Sequence, residues 1–568
     1  MNGVDYFLEL LRQQGVRYLF GNPGHTELKM LDRLVDMPEM DYVLGLHEGA
    51  ALTMADGYAM ASGRLGVFCG HVMPGFGNAM GMLFNASKHG TPLLVTAGQQ
   101  DLAFAQTEPF LWGDLARMAR PLVKWAHEVQ NVGELERVLT RAVKVALTPP
   151  TGPVFLSLPK DVMAAEGAFS LARPTVVAPR LCADREAIGE AAAALLAARS
   201  PLIIAGDEVG KSGAEPELRQ LADLLGSRVY SECASTTFNF PIAHPLYQGA
   251  LARTQKEVRE VLDTADVIFA VGAEVFTLAA YARTEPLPPG VRLIQLSADA
   301  WQLGKNYRAE PAMLGDAKAT LAALVEAVRA RCGSDQSRIA ADRALASERR
   351  KAELLAGVKR QAAADRQQRP LRGTVVMQEI VAHAPDDAVI VDESATTGMS
   401  LRRFMQERDL GYFGLKGGGL GWGLGASIGV HLALPERPVL CLVGDGAALF
   451  GIQALWTAAN RRAKVTYVVC NNRQYRLIKH RLHLHGGGAS ARAKRYYGSE
   501  LNDPPIDFVG LAQSFGIPAM QVESADDIAD AMRAARDREG PSLIDVLVEG
   551  SYPEREEAAK VAAPATSS

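Results

Sequence analysis

The stretch that most constrains the fold runs from Gly444 to Asn472. An apolar strand (Val439–Val443) leads into Gly444-Asp445-Gly446, a helical run follows through Gln453-Ala454-Leu455-Trp456, and a second apolar strand (Val465–Cys470) ends on Asn471-Asn472. Between Asp445 and Asn472 lie 26 residues, the length of one strand–helix–strand crossover. Such a crossover sets the two strand ends side by side at the carboxyl edge of a parallel sheet, where α/β proteins bind ligands. A carboxylate, an amide and backbone carbonyls there offer the oxygen ligands a hard cation needs, with phosphate oxygens to complete its shell. The glycines let backbone approach a diphosphate, and the helix start after Gly446 presents free N–H groups to it.

At 568 residues the chain is too long for one core and predicts about three domains. Its 48% hydrophobic and 22% charged content is that of an ordinary globular protein. A net charge of −4 gives no reason to expect nucleic acid or an anionic membrane as partner. The six cysteines (69, 182, 233, 332, 441 and 470) have no paired metal-ligand spacing, and a reducing cytoplasm is the expected compartment. The chain opens on an amphipathic helix around Tyr6–Leu11 without a signal-peptide pattern, and no apolar run suggests a membrane span.

The expected fold is α/β, with three doubly wound parallel-sheet domains. Residues 1–170 alternate helices with strands at Val16–Phe20, Tyr42–Leu46, Val67–Gly70, Leu93–Ala97 and Val154–Leu158. A middle unit, 185–335, has strands at Leu202–Ala205, Val229–Ser231, Val267–Val271 and Leu293–Leu296, with no phosphate-binding glycine fingerprint to open it. Residues 336–370 read as a solvated helix and linker. The third unit, 371–552, carries the Gly444–Asn472 stretch, and 553–568 reads as a mobile tail.

Further candidate residues gather at predicted strand ends. Gly21-Asn22-Pro23-Gly24-His25-Thr26-Glu27 follows the first strand, and it reads equally as a helix-initiating turn or as a ligand loop bearing His25 and Glu27. His47-Glu48-Gly49 ends the second strand, and His71 begins His71-Val72-Met73-Pro74-Gly75-Phe76-Gly77-Asn78-Ala79-Met80 after the third. In the third unit, Asp392-Glu393-Ser394-Ala395-Thr396-Thr397 ends another strand. Gly417–Gly425 is glycine-rich around Leu420, but it lacks the strand context of a dinucleotide fingerprint.

The Gly-Asp-Gly and distant Asn-Asn together resemble the thiamine-diphosphate motif of the thiamine-dependent decarboxylase and carboligase superfamily. The resemblance sharpens toward the benzoylformate decarboxylase family in Gly21–Gly24, in the His71 loop ending Gly-Asn-Ala-Met, in Pro92–Gln100 and in Arg120–Trp125. It implies pyrimidine-binding, middle and diphosphate-binding domains holding thiamine diphosphate and Mg²⁺. Asp445, the Asn472 side chain and the Gln474 carbonyl would hold the metal. Glu48 would hydrogen-bond the aminopyrimidine, while Gly418 would receive its amine and Leu420 would wedge it into a bent shape. Asn22, Thr396, Gly444, Gly446, Ala447 and Tyr475 would complete the cofactor contacts. His71 and His25 would manage protons.

The resemblance further implies a homodimer or homotetramer with sites shared between subunits, and a small 2-keto acid or 2-hydroxyacyl substrate. Two features depart from the family: Ala279 stands where a second histidine is expected, and His25 where a serine is. Decarboxylation of a 2-keto acid to an aldehyde is the first expectation. Carboligation or 2-hydroxyacyl-CoA cleavage is an alternative, and a non-catalytic cofactor-binding subunit is a third. The basic run 473–495, with Arg473, Arg476, Lys479, Arg481, His483 and His485, reads either as a solvated face or subunit contact, or as an anchor for an anionic substrate.

Overall fold

The computed structural model describes residues 1–171, 174–279, 281–408, 410–485 and 488–551, the side chains of 484 and 485 excepted. The expected tail lies outside the described residues. Within them the chain forms three six-stranded sheets whose strand pairs are all parallel.

The first sheet comprises β1 (Tyr18–Gly21), β2 (Asp41–Leu44), β3 (Gly66–Gly70), β4 (Leu93–Gln99), β5 (Ala126–Glu128) and β6 (Val154–Pro159), in the order β2-β1-β3-β4-β6-β5. The middle sheet is built from β7 (Pro201–Ala205), β8 (Arg228–Ser231), β9 (Tyr247–Ala250), β10 (Val267–Val271), β11 (Arg292–Ser297) and β12 (Ala312–Leu314). Its order is β12-β11-β10-β7-β8-β9, the arrangement of dinucleotide-binding folds. The third has β13 (Val389–Glu393), β14 (Gly411–Gly414), β15 (Val439–Gly444), β16 (Val465–Asn471), β17 (Ala519–Val522) and β18 (Ser542–Leu547), in the order β14-β13-β15-β16-β18-β17. The first and third sheets therefore share one topology, which no residue-level repeat announces.

The central strands are apolar because both faces are covered by helices, so they read as continuous hydrophobic runs rather than alternating ones. The strands that sequence reading passed over (β5, β9, β12, β14, β17 and β18) are mostly short edge strands with half-exposed or polar positions. β18 is the exception: its Ser-Leu-Ile-Asp-Val-Leu run is buried next to β16, with Asp545 held by Asn471 and Gln521. The segment expected as a solvated helix is a 32-residue helix, Ser334–Asp365, with few buried positions.

Four helices of the first unit matter below: α1 (Gly3–Gln13), α2 (Leu28–Leu34), α3 (Glu48–Ser62) and α4 (Val72–His89). The N-terminal helix buries Tyr6, Phe7, Leu8, Leu10 and Leu11, and Asn2 caps it by accepting the Asp5 N–H. The α3 helix is buried nearly all round because it packs on the helix Trp422–Ala433 of the third unit. Gly57 and Gly429 make this possible: a Cβ on either would collide with backbone of the opposing helix. One apolar core therefore runs from the first sheet into the third, joining Phe20, Phe68 and Phe155 to Trp422, Leu455 and Tyr467.

Candidate active site

In both the first and the third sheets the strand order reverses between two neighbouring central strands, and ligands of open α/β sheets bind at such points. In the third sheet those strands are β13 and β15, which end on Glu393 and Gly444. Gly444 stands opposite Cys470 in β16, so the paired strand ends bring Asp445 and Asn472 to one edge. Arg473 takes a left-handed φ of +57°, turning the chain back on itself. That turn aims the Gln474 N–H at Asp445 Oδ2 (3.2 Å) and Asn472 Oδ1 (3.1 Å) together.

Two of the expected metal-binding oxygens thus converge on a single donor. Asp445 is 3% exposed, and among the described residues no lysine or arginine pairs with it. Burial pushes its carboxyl up to about 6, although the N–H groups of Gly446, Arg473, Gln474 and Asn472 pull the other way. A buried carboxylate without a counter-charge, beside an amide oxygen and a tight glycine turn, suits a cation with an attached diphosphate. Nothing would obstruct a Cβ at Gly444, whereas one at Gly446 would strike the ring of Tyr475. Ala447 is buried in the short helix Asp445–Ala448, and Thr396 is half-buried in the turn after β13.

At the first sheet the reversal falls between β1 and β3, which lead to the Gly21–Glu27 loop and to His71. His71 precedes α4, and its Nδ1 lies 2.9 Å from Glu27 Oε2 and 3.0 Å from Thr26 Oγ1. Thr26 also donates to Glu27 Oε1 at 2.5 Å, and Glu27 Oε2 accepts the Gly24 N–H at 2.9 Å. Glu27 is 6% exposed and His71 21%, so the carboxylate is the buried anchor and the imidazole the more open member. With Nδ1–H donating to Glu27, Nε2 is the nitrogen left for chemistry. The ring lies against Gly24, where any Cβ would overlap it.

His25, by contrast, is exposed on the turn; Thr26 and Glu27, not His25, make the contacts to His71 Nδ1. Asn22 donates its amide to the Gly45 carbonyl at 2.8 Å. Glu48 opens α3 and is half-buried; its Oε2 accepts from Asn78 Nδ2 at 3.0 Å, and Gly75 leaves room for its Oε1.

Gly418 is exposed with φ +85°, and Leu420 is half-buried against the shared core. Glu393, whose role sequence reading missed, is buried beneath this loop: it accepts the N–H groups of Gly421 (2.7 Å) and Gly423 (2.6 Å), and burial pushes its carboxyl up to about 7. A glutamate ending a strand before a glycine-rich helix start was the available signal. The basic run is largely tied to its own surroundings. Lys479 pairs with Glu500 at 3.2 Å, His483 Nδ1 lies 2.9 Å from Tyr496 Oη, and Arg476 donates to the Ser551 carbonyl at 2.6 Å. Leu477 and Ile478 are exposed on the same helix.

The polar turn at Asp445–Gln474 on one sheet and the His71–Glu27–Thr26 cluster on another are what a cofactor-dependent enzyme of the α/β class would offer. The chain belongs to the thiamine pyrophosphate enzyme family, whose N-terminal TPP binding domain matches residues 1–118, central domain residues 188–324 and C-terminal TPP binding domain residues 396–546. Benzoylformate decarboxylase of Pseudomonas aeruginosa is 33% identical over 551 residues, covering 95% of this chain and 97% of that protein. A putative acetolactate synthase large subunit of Mycobacterium tuberculosis is 27% identical over 554 residues, 96% of this chain and 99% of that one. Among solved structures, the 4-hydroxybenzoylformate decarboxylase of Rhodococcus jostii RHA1 is 30% identical with a TM-score of 0.82, over 97% of this chain and 99% of that one. The chain is an enzyme of the decarboxylase and acetolactate synthase type acting on a small molecule. No helix among the described residues is long and apolar enough to cross a membrane.

Proposed function

We propose that this enzyme is a Mg²⁺-dependent, non-oxidative decarboxylase of an arylglyoxylate-type 2-keto acid, giving an aldehyde and CO₂. The observation that carries the reading is the His71–Glu27–Thr26 cluster at the switch point of the first sheet. Thiamine diphosphate, when bound, supplies the nucleophilic carbon and the electron sink for the pair released as CO₂ departs. The protein's task is then to hold the cofactor bent, exclude water and deliver one proton to carbon.

Asp445 Oδ2, Asn472 Oδ1 and the Gln474 carbonyl would hold Mg²⁺, and the turn at Gly444–Ala447 would receive the diphosphate. Glu48 would keep a proton at the aminopyrimidine ring nitrogen, with Asn78 fixing its rotamer. His71 Nε2 would hold the proton that replaces the departing carboxylate; its Nδ1–H is committed to Glu27, so the tautomer is set in advance. His25, exposed on the neighbouring turn, would be the second residue available to handle protons.

We further infer a homodimer or homotetramer in which Glu48 of one subunit meets Asp445 of another. Apolar side chains exposed beside the site support this: Phe450, which abuts Gly421, is 58% exposed, and Met399, just past Thr396, is 81% exposed. Likeness to acetolactate synthases keeps carboligation as the second reading. A panel of aromatic and aliphatic 2-keto acids and 2-hydroxyacyl-CoAs, with CO₂, aldehyde and acyloin followed together, separates the two. Decarboxylation predicts equimolar CO₂ and aldehyde from benzoylformate; acyloin from pyruvate as the main product would overturn it.

A further inference from the structure

The segment between β14 and the helix Trp422–Ala433 is rich in glycine, and such a chain should wander, because ordering backbone this free is entropically costly. Here it is pinned on every side but one. Asn85 of α4 is fully buried; its Oδ1 accepts the Gly419 N–H at 2.9 Å and its Nδ2 donates to the Gly419 carbonyl at 2.8 Å. A Cβ on Gly417 would overlap the same amide.

One turn along α4, His89 Nε2 accepts the Lys416 N–H at 3.2 Å. Its Nδ1 donates to Asp56 Oδ2 at 2.8 Å, and that oxygen also accepts from Trp422 Nε1 at 2.8 Å. The Lys416 ammonium is buried among Glu232 (3.2 Å), Glu274 (3.4 Å) and Asp207 (3.5 Å) of the middle unit. Only Gly418 faces open space, where a Cβ would meet nothing within 4 Å.

The Gly419 N–H and the Gly418 carbonyl belong to one planar trans peptide, so they point in opposite directions. With the N–H held on Asn85, the Gly418 carbonyl is turned away from α4 and toward the open side. We propose that Asn85 is a positioning residue that aims the Gly418 carbonyl at the cofactor's aminopyrimidine amine. This rests on the reading of Gly418 as the group that receives that amine. The same helix carries Asn78, which holds Glu48, seven residues earlier and thus on the same face, about 10 Å away. Each chain's α4 therefore fixes both its Glu48 and its Gly418 carbonyl, which under the shared-site reading serve two different cofactors.

The test compares Asn85→Ala and the near-isosteric Asn85→Asp with the wild-type protein in three measurements. In the cofactor-free protein, amide hydrogen exchange over residues 416–421 should quicken by about tenfold or more, the loss of one or two buried hydrogen bonds, while β15 stays protected. By calorimetry with Mg²⁺, thiamine diphosphate should bind about tenfold more weakly. Inorganic diphosphate should bind as it does to the wild type, because its site on Asp445 is untouched.

Equal weakening of both ligands, or unchanged exchange over 416–421, would overturn the positioning role. Should Asn85→Ala fail to fold, Asn85→Asp, which keeps the acceptor but sets a carboxylate oxygen against the Gly419 carbonyl, must give a smaller loss of the same selective kind. A wild-type chain that binds inorganic diphosphate but not thiamine diphosphate would instead overturn the cofactor reading beneath it.

Discussion

His71 Nδ1 stands 2.9 Å from Glu27 Oε2, across the two strands at which the first sheet reverses its order. The pair is held by residues from two loops, and its carboxylate is the more buried member. This matches the way a carboxylate fixes a working imidazole in acid–base sites. Glu27→Gln should lower kcat by about 10–100-fold with thiamine diphosphate affinity unchanged, and His71→Ala by about 10²–10⁴-fold. Steady-state kinetics beside calorimetry would check both; an equal loss of cofactor binding would assign the pair to the cofactor cradle instead.

Asp445 is proposed to act at the opposite end of the cofactor. Burial without a counter-charge pushes its carboxyl up to about 6. A proton and a cation compete for it, so Mg²⁺-supported binding of thiamine diphosphate should weaken by up to about tenfold per pH unit below that value. Titration calorimetry between pH 5 and 8 reads the slope directly, and Asp445→Ala should retain no cofactor at any pH.

Glu393 makes the stability of the cofactor-free protein depend on pH in a defined direction. Burial lifts its carboxyl from 4.5 to about 7. Its folded value thus lies above its unfolded one, so its protonated form stabilises the fold. That contribution is complete below about pH 4.5 and is lost as pH rises through about 7, a change of order 3 kcal/mol. Measured by thermal unfolding, wild type should lose stability relative to Glu393→Gln between pH 4.5 and 8, and a parallel pair of curves would contradict the assignment.

Gly57 tests the junction of the first and third units. A Gly→Ala change inside a helix normally stabilises by about 0.5–1 kcal/mol. Here the new methyl would collide with the Ala426 carbonyl. Gly57→Ala should therefore destabilise the protein by about 1–3 kcal/mol, the usual cost of overpacking. A raised thermal midpoint would show that the two helices can separate without consequence.

The Gly444–Asn472 stretch was legible because its chemistry is local: two apolar strands, a crossover of fixed length and a polar residue at each strand end. Such a pattern survives without knowledge of the remaining chain. The His71–Glu27 pairing was half legible, since both residues end strands of one sheet. Sequence spacing could not show that Thr26 and Glu27, rather than His25, would turn toward the imidazole, because that depends on one turn of 3₁₀ helix at 25–27.

Asn85, His89 and Asp56 were illegible for a different reason. Each sits mid-helix or at a helix end among apolar residues, and its partner is more than 300 residues away or buried in another helix. Edge strands such as β12 and β17 were missed because short, half-exposed segments carry little periodic signal.

Glu48 and Asp445 are proposed to serve one cofactor from two different chains, and complementation between inactive variants tests that sharing. Glu48→Ala and Asp445→Ala are each expected to fold and to be nearly inactive. When the two variants are unfolded and refolded together, or co-expressed, each mixed dimer holds one site with both residues intact. Random pairing then predicts recovery of about a quarter of wild-type turnover of the preferred 2-keto acid. Activity no higher than the sum of the two variants alone would place both residues in a single chain's site and contradict the account.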